Sequence, residues 1–239
     1  RMSDAQGRYI EFCKSSFTDL DLNGLSILLD CANGATYSVA PKVFSELGAY
    51  IETIGASPDG ININQNCGST SPNALKEAII KGSYDIGIAF DGDGDRILIV
   101  TSDGDILDGD DILYILSKEI PANSGVVGTL MTNKALELYF QNEGIEFSRA
   151  DVGDKYVLQR LIERSWSLGG EPSGHIICLD SAPTGDAIVA ALKFLNAIKD
   201  KGFSIEKSLE GFKKFPQTLI NLKVNNPNKI IISDKFWEK

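Results

Sequence analysis

Two tandem α/β domains, each a mixed, mostly parallel β-sheet between helices, are predicted by three features of this sequence. Runs rich in Ile, Val and Leu alternate with segments of helical periodicity, the pattern of sheets joined by helical crossovers. The alternation starts afresh after the turn Ser102-Asp103-Gly104-Asp105. With 43% hydrophobic residues, a chain of 239 can fill two ordinary cores.

Taken in order, the first cycle predicts strands over 25–30, 49–55, 84–90 and 96–101. A helix over 35–47 follows from Val39, Val43, Phe44 and Leu47 on one face, with Gly48 as its C-terminal stop. A second helix over 72–81 starts with Pro72 in its first turn, where a missing N–H costs nothing. The second cycle predicts helices over 110–118, 134–143, 155–164 and 186–199, and strands over 126–131, 146–150 and 175–179. A last strand, 217–224, runs into the polar breaker Asn225-Asn226-Pro227-Asn228-Lys229. The domains therefore divide as 1–105 and 106–224, with 225–239 a linker. A start without an initiator methionine and an end just past a linker both read as cuts from something longer.

Charge excludes one class of partner. Acidic side chains outnumber basic ones by 33 to 23, for a net charge of −10, and no Lys/Arg stripe is present to neutralise a nucleic-acid backbone. No stretch is long or apolar enough to span a bilayer, and residues 1–8 lack an apolar signal core. Cys13, Cys31, Cys67 and Cys178 form no C-x-x-C pair and no disulfide framework, so reduced thiols in a cytoplasmic protein are expected.

The most informative stretch is the apolar run Ile86-Gly87-Ile88-Ala89-Phe90 followed at once by Asp91-Gly92-Asp93-Gly94-Asp95-Arg96. In an extended strand, residues i, i+2 and i+4 share a face but spread over roughly 13 Å. Glycines at the intervening positions allow the backbone to curl and bring the three carboxylates together. Such convergence needs a counter-charge, because two like unit charges about 4 Å apart repel by about 4 kcal/mol at an effective dielectric of 20. Three hard oxygen donors suit Mg²⁺ and not Zn²⁺, so Asp91, Asp93 and Asp95 are candidate ligands. Arg96 is placed to meet a phosphate or a developing negative oxygen. An EF-hand loop does not fit, since its sixth position would be Arg96 and its twelfth Ser102. A free-standing Mg²⁺-dependent sugar-phosphate phosphatase, with Asp91 as nucleophile, stays open, as does a non-catalytic binding module. Asp103, Asp105, Asp108, Asp110 and Asp111 lack a preceding buried strand and read as a solvated turn and a helix N-terminus.

A second polar stretch, Gly169-Gly170-Glu171-Pro172-Ser173-Gly174-His175, places a carboxylate, a hydroxyl and the single histidine within five positions. Such a set can donate to and accept from sugar hydroxyls. It is not a hydrolase elbow, because Glu171 and His175 stand where G-x-S-x-G needs glycines. Lys155, in the helix start Val152-Gly153-Asp154-Lys155-Tyr156, could hold a phosphate, and Asp186 opens another helix.

Together these loops resemble the magnesium loop (D-G-D-G-D-R) and the sugar loop (G-E-x-S-G-H) of the α-D-phosphohexomutase superfamily. The finer resemblance is to its bacterial phosphoglucosamine mutase branch rather than to phosphomannomutase or phosphoglucomutase. It is carried by Gly7-Arg8-Tyr9-Ile10-Glu11-Phe12, Asp30-Cys31-Ala32-Asn33-Gly34-Ala35-Thr36-Tyr37, Gly128-Thr129-Leu130-Met131, Val152-Gly153-Asp154 and Thr184-Gly185-Asp186. The resemblance implies a central fragment holding the second and third of four domains, with the first and fourth on missing parts of the same polypeptide. It implies Mg²⁺ on Asp91, Asp93 and Asp95, phosphoryl-transfer assistance from Arg96, and a hexosamine phosphate held by Glu171 and Ser173 with His175 beside the reacting sugar. Lys155 stands where the family shows arginine, and Ala187 where it shows glycine. The implied reaction passes a phosphoryl group from a phosphoserine to glucosamine 6-phosphate, through a 1,6-bisphosphate, to give glucosamine 1-phosphate for cell-wall precursors. Neither the family's S-H-N serine loop nor its R-x-S-G-T phosphate loop occurs in these residues. The chain alone is therefore expected to be inactive.

Overall fold

The computed structural model describes residues 3–218 and 220. The first half contains α1 (Ala5–Ser15), β1 (Ser26–Asp30), α2 (Ala40–Glu46), β2 (Tyr50–Ile54), α3 (Asn73–Lys81), β3 (Ile86–Phe90), β4 (Ile97–Thr101) and β5 (Ile106–Leu107). Its sheet order is β2-β1-β3-β4-β5. The first three strands pair in parallel, while β3–β4 and β4–β5 are antiparallel. The second half contains α4 (Gly109–Leu116), β6 (Gly125–Thr129), α5 (Lys134–Glu143), β7 (Glu146–Ala150), α6 (Asp154–Arg164), β8 (Leu168–Gly170), β9 (Ile176–Cys178), α7 (Ala187–Ile198) and α8 (Ile205–Leu209). Its sheet order is β7-β6-β8-β9, with only β8–β9 antiparallel. Both sheets are thus mixed and mostly parallel between helices, as the alternating pattern predicts.

A proline breaks the helix expected over 35–47. In its interior Pro41 would lose a backbone hydrogen bond and clash with the preceding turn. The chain instead makes a 3₁₀ turn at Ala35–Ser38 and starts α2 anew, with Pro41 in the first turn. Val43 and Phe44 are fully buried, and Gly48 follows the helix with φ +103°. Pro72 lies one position outside its helix, as the N-cap of α3. Four short or polar elements were not expected: α1, which buries only Ile10 and Cys13, two-residue β5, glycine-rich β8 and five-residue α8. The first sheet runs through Leu107, past Asp105. Gln217, Thr218 and Ile220 carry no strand; the rest of the strand expected over 217–224, and the linker 225–239, lie outside the described residues.

One core joins the halves: α7, buried along most of its length, packs against α1, α4 and β4. All four cysteines are free and buried, and burial pushes the Cys178 thiol up to about 12. Among the described residues no helix is long and apolar enough to cross a membrane.

The aspartates around Asp108 correct the reading of a solvated cluster. A helix N-terminus does lie there, with Asp108 and Asp111 forming a reciprocal capping box on α4, but Asp110 and Asp111 are buried. The cluster is stabilised by packing partners distant in sequence: Lys214 bridges Asp108 at 2.8 Å and Asp111 at 2.6 Å, and Asn133 N donates to Asp110 Oδ2 at 2.8 Å. Asp110 Oδ1 has no hydrogen-bond partner, and burial is the main cause that pushes this carboxyl from 3.8 to about 6. A raised acid costs stability once ionised, so the penalty grows between pH 4 and 6 and stays above it. Asp110→Asn keeps the acceptor for Asn133. It is expected to raise unfolding stability by up to about 3 kcal/mol at pH 7.5 and by almost nothing at pH 4, measured by urea denaturation at both.

Candidate metal and sugar-phosphate site

β3 is buried at every position, paired to β1 and β4, and delivers the chain at Asp91 to the end of the first sheet. There Asp91 winds the following loop around itself: its Oδ1 accepts from the N–H groups of Gly94, Asp95 and Arg96, each at 3.1 Å. Gly94 supplies the left-handed backbone this curl needs, at φ +81°, while Gly92 does not take positive φ. The Gly92 carbonyl accepts instead from Ala35 N at 2.8 Å, which pins the loop from the side of β1. The extended spread is thereby abolished, and one oxygen from each of Asp91, Asp93 and Asp95 lies within 4.8 Å of the others.

These residues fit a divalent cation. Asp95 Oδ1 is buried with no hydrogen-bond partner, a costly state for an anionic oxygen unless a cation meets it. Burial first, and then the Asp95 carboxyl beside it, raise Asp91 above the ordinary carboxylate range, the response of close acids without a cation between them. Arg96 relieves little of this, with Nε 3.8 Å from Asp91 Oδ2 and 3.9 Å from Asp95 Oδ1 and the side chain 43% exposed. Its Nε is buried and has no hydrogen-bond partner.

The second loop meets the first directly. Arg96 and His175 form an isolated antiparallel bridge, Ile97 N donates to the Gly174 carbonyl at 3.0 Å, and Gly109 N to that of Pro172 at 3.2 Å. His175 Nδ1 lies 3.1 Å from Asp95 Oδ2, a contact across 80 positions of sequence. The imidazole is buried, so of the candidate sugar-loop groups only Ser173 is exposed. Glu171 is also buried; its Oε1 accepts from Gly153 N at 2.9 Å, which ties the sugar loop to the start of α6. Lys155, in the first turn of α6, is exposed with Nζ 4.6 Å from the Tyr156 ring centre, and no hydrogen bond or ion pair among the described residues joins it to the other candidates. Asp186 caps α7 and accepts from Tyr9. The sequence alone does not reveal this contact, because a lone tyrosine on a polar helix carries no signal of its partner.

Two family descriptions match in tandem: phosphoglucomutase/phosphomannomutase, alpha/beta/alpha domain II, over residues 7–104, and domain III over residues 108–215. The chain belongs to the phosphoglucomutase/phosphomannomutase family. Among relatives in this family, the phosphoglucosamine mutase of Pseudomonas entomophila (strain L48) is 54% identical across all of this chain and 56% of its own length. That of Legionella pneumophila (strain Paris) is 53% identical over 95% of this chain and 51% of its own. The chain spans about half the length of these curated relatives. The Aspergillus fumigatus N-acetylphosphoglucosamine mutase, in a crystal structure with GlcNAc-6P and magnesium, shares the fold at TM-score 0.75 and 20% identity, over 92% of this chain and 56% of that one.

Proposed function

We propose that this chain supplies the metal and sugar sides of the cleft in a cytoplasmic enzyme that interconverts glucosamine 6-phosphate and glucosamine 1-phosphate. One observation carries the reading: three converging carboxylates stand against a polar loop through the Arg96–His175 bridge, an arrangement suited to charge neutralisation beside hydroxyl recognition. Asp91, Asp93 and Asp95 would hold Mg²⁺, which when bound supplies neutralisation of phosphoryl oxygens. Arg96, with its side chain partly exposed beside the carboxylates, adds a fixed positive charge for the transferring group. Ser173 is the exposed donor and acceptor for sugar hydroxyls, and Glu171 sets the loop through Gly153 while its second oxygen serves the substrate. His175, being buried, acts on Asp95 by holding one of its oxygens. Lys155 is kept as an outer phosphate contact.

The amino-sugar substrate is supported by relatives above 50% identity that are phosphoglucosamine mutases. In the proposed reaction a phosphoserine O–P bond breaks as a bond to the sugar's O1 forms. The bisphosphate then returns its 6-phosphoryl group to the serine. No S-H-N loop occurs in the 239 residues, so the serine, like the phosphate-binding R-x-S-G-T loop, is assigned to other parts of the same polypeptide.

The test compares glucosamine, glucose and mannose 6-phosphates with the full-length enzyme. The expected result is a kcat/KM highest for glucosamine 6-phosphate, at least about tenfold over the others, the discrimination one well-placed polar group can give. Release of inorganic phosphate in place of an isomer, or rapid turnover by the 239-residue chain alone, would overturn the proposal.

A further inference from the structure

The first turn of α7 is fastened to the back of the carboxylate loop. Ala187 N, at a helix start with no intrahelical acceptor, donates to the Gly94 carbonyl at 2.9 Å. The next two N–H groups are taken by the cap: Asp186 Oδ1 accepts from Ile188 N at 3.1 Å and Val189 N at 3.0 Å. The direction of the helix start, and so of the Ala187 N–H, is set by where that carboxylate sits.

The carboxylate is itself held from the other half of the molecule. Tyr9 Oη, on α1, reaches both Asp186 oxygens, at 2.8 and 2.9 Å. Burial first, and then Asp186, push the Tyr9 hydroxyl well above its ordinary range, so it remains a proton donor. One residue before Asp186, a Cβ on Gly185 would lie 2.3 Å from His175 Nε2, which leaves no room for a side chain beside the imidazole that meets Asp95. The stretch Gly185-Asp186-Ala187 therefore touches the curled loop at two points, the Gly94 carbonyl and, through His175, the Asp95 carboxylate. Tyr9, Asp93, Asp95 and Asp186 line one small cleft behind the loop.

We infer that Tyr9 and Asp186 are positioning residues for the cation site, fixing through Ala187 and Gly94 the curl that brings Asp91, Asp93 and Asp95 together. This rests on reading the loop as a cation site. Tyr9 is neutral, and because Asp186 lines the same cleft as Asp93 and Asp95, a positioning role is separated from an electrostatic one by replacing its charge while keeping its capping oxygen.

Calorimetric titration of Mg²⁺ into the 239-residue chain, at a temperature where circular dichroism shows each protein folded, tests it. Tyr9→Phe and Asp186→Ala are each expected to weaken Mg²⁺ binding by about tenfold, the size usual for residues that orient metal ligands. Asp186→Asn keeps a capping oxygen and an acceptor for Tyr9 and is expected to bind within about twofold of the unsubstituted chain. If one of the first two variants fails to fold, the other carries the comparison. Wild-type affinity in a folded Tyr9→Phe or Asp186→Ala overturns the inference. So does an Asp186→Asn loss as large as that of Asp186→Ala, since it assigns the effect to charge. Absence of saturable Mg²⁺ binding by the unsubstituted chain would instead overturn the cation-site reading and remove the basis of this one.

Discussion

Asp95→Ala is expected to weaken Mg²⁺ binding on the order of 10²-fold or more and, in the full-length protein, to abolish the proposed mutase turnover. Losses of 10- to 100-fold are common for residues that only orient a ligand, and Asp95 is a proposed ligand that also joins the two loops through His175. Its Oδ1 is the buried oxygen left without a hydrogen-bond partner, so the site has no substitute donor at that position. The effect can be read without catalysis. A ligand that binds only the folded state stabilises it by about 2.7 kcal/mol at a hundred times its dissociation constant. Mg²⁺ should therefore raise the melting temperature of the unsubstituted chain and leave that of Asp95→Ala unchanged.

Gly174→Ala is expected to be strongly destabilising, costing about 3 kcal/mol or more. The residue has φ +91°, and an added Cβ would lie 2.1 Å from the Ile97 carbonyl oxygen. Backbone cannot yield as a flexible side chain can, so relief requires opening the Ile97 N to Gly174 O bond at 3.0 Å. That bond is one of the links between the metal loop and the sugar loop. Two readouts should move together: a lower urea midpoint at unchanged m-value, and a raised KM for the proposed sugar-phosphate substrate in the full-length protein. A variant as stable as the parent would show that the junction is looser than its geometry states.

How much of this was legible in the sequence depended on whether the deciding contacts were local. Strand β3 could be read because all of its residues are apolar, and α5 because Asn133 caps its start and Gly144, at φ +70°, ends it. Helix α1 could not, since a polar helix that buries two residues carries no clear apolar stripe. Strand β8 was hidden for the opposite reason: Gly169-Gly170 reads as turn chemistry, and only pairing with β6 and β9 makes it a strand.

The same division holds at the site. The curl of Asp91, Asp93 and Asp95 starts from groups within the loop, the Asp91 carboxylate and Gly94, so their spacing revealed it, while the contacts from Ala35 and Ala187 that hold it could not be read. Meetings across the fold could not be read: His175 with Asp95, Tyr9 with Asp186, and Lys214 with the buried Asp108–Asp111 turn all depend on how the halves and segments pack. Burial of Asp110 and Asp111 is of the second kind, since the partners that make it tolerable lie at Asn133 and Lys214.

A single cation held by three carboxylates at the end of β3 is tested most directly by locating it. Crystals of this chain grown with Mn²⁺, a divalent ion that also takes oxygen donors and scatters anomalously, should show one strong anomalous peak. That peak is expected among Asp91, Asp93 and Asp95, at roughly 2.1–2.3 Å from one oxygen of each, and should vanish in Asp95→Ala. A peak elsewhere, or a loop closed by the Arg96 guanidinium with no ion at saturating Mn²⁺, would contradict it.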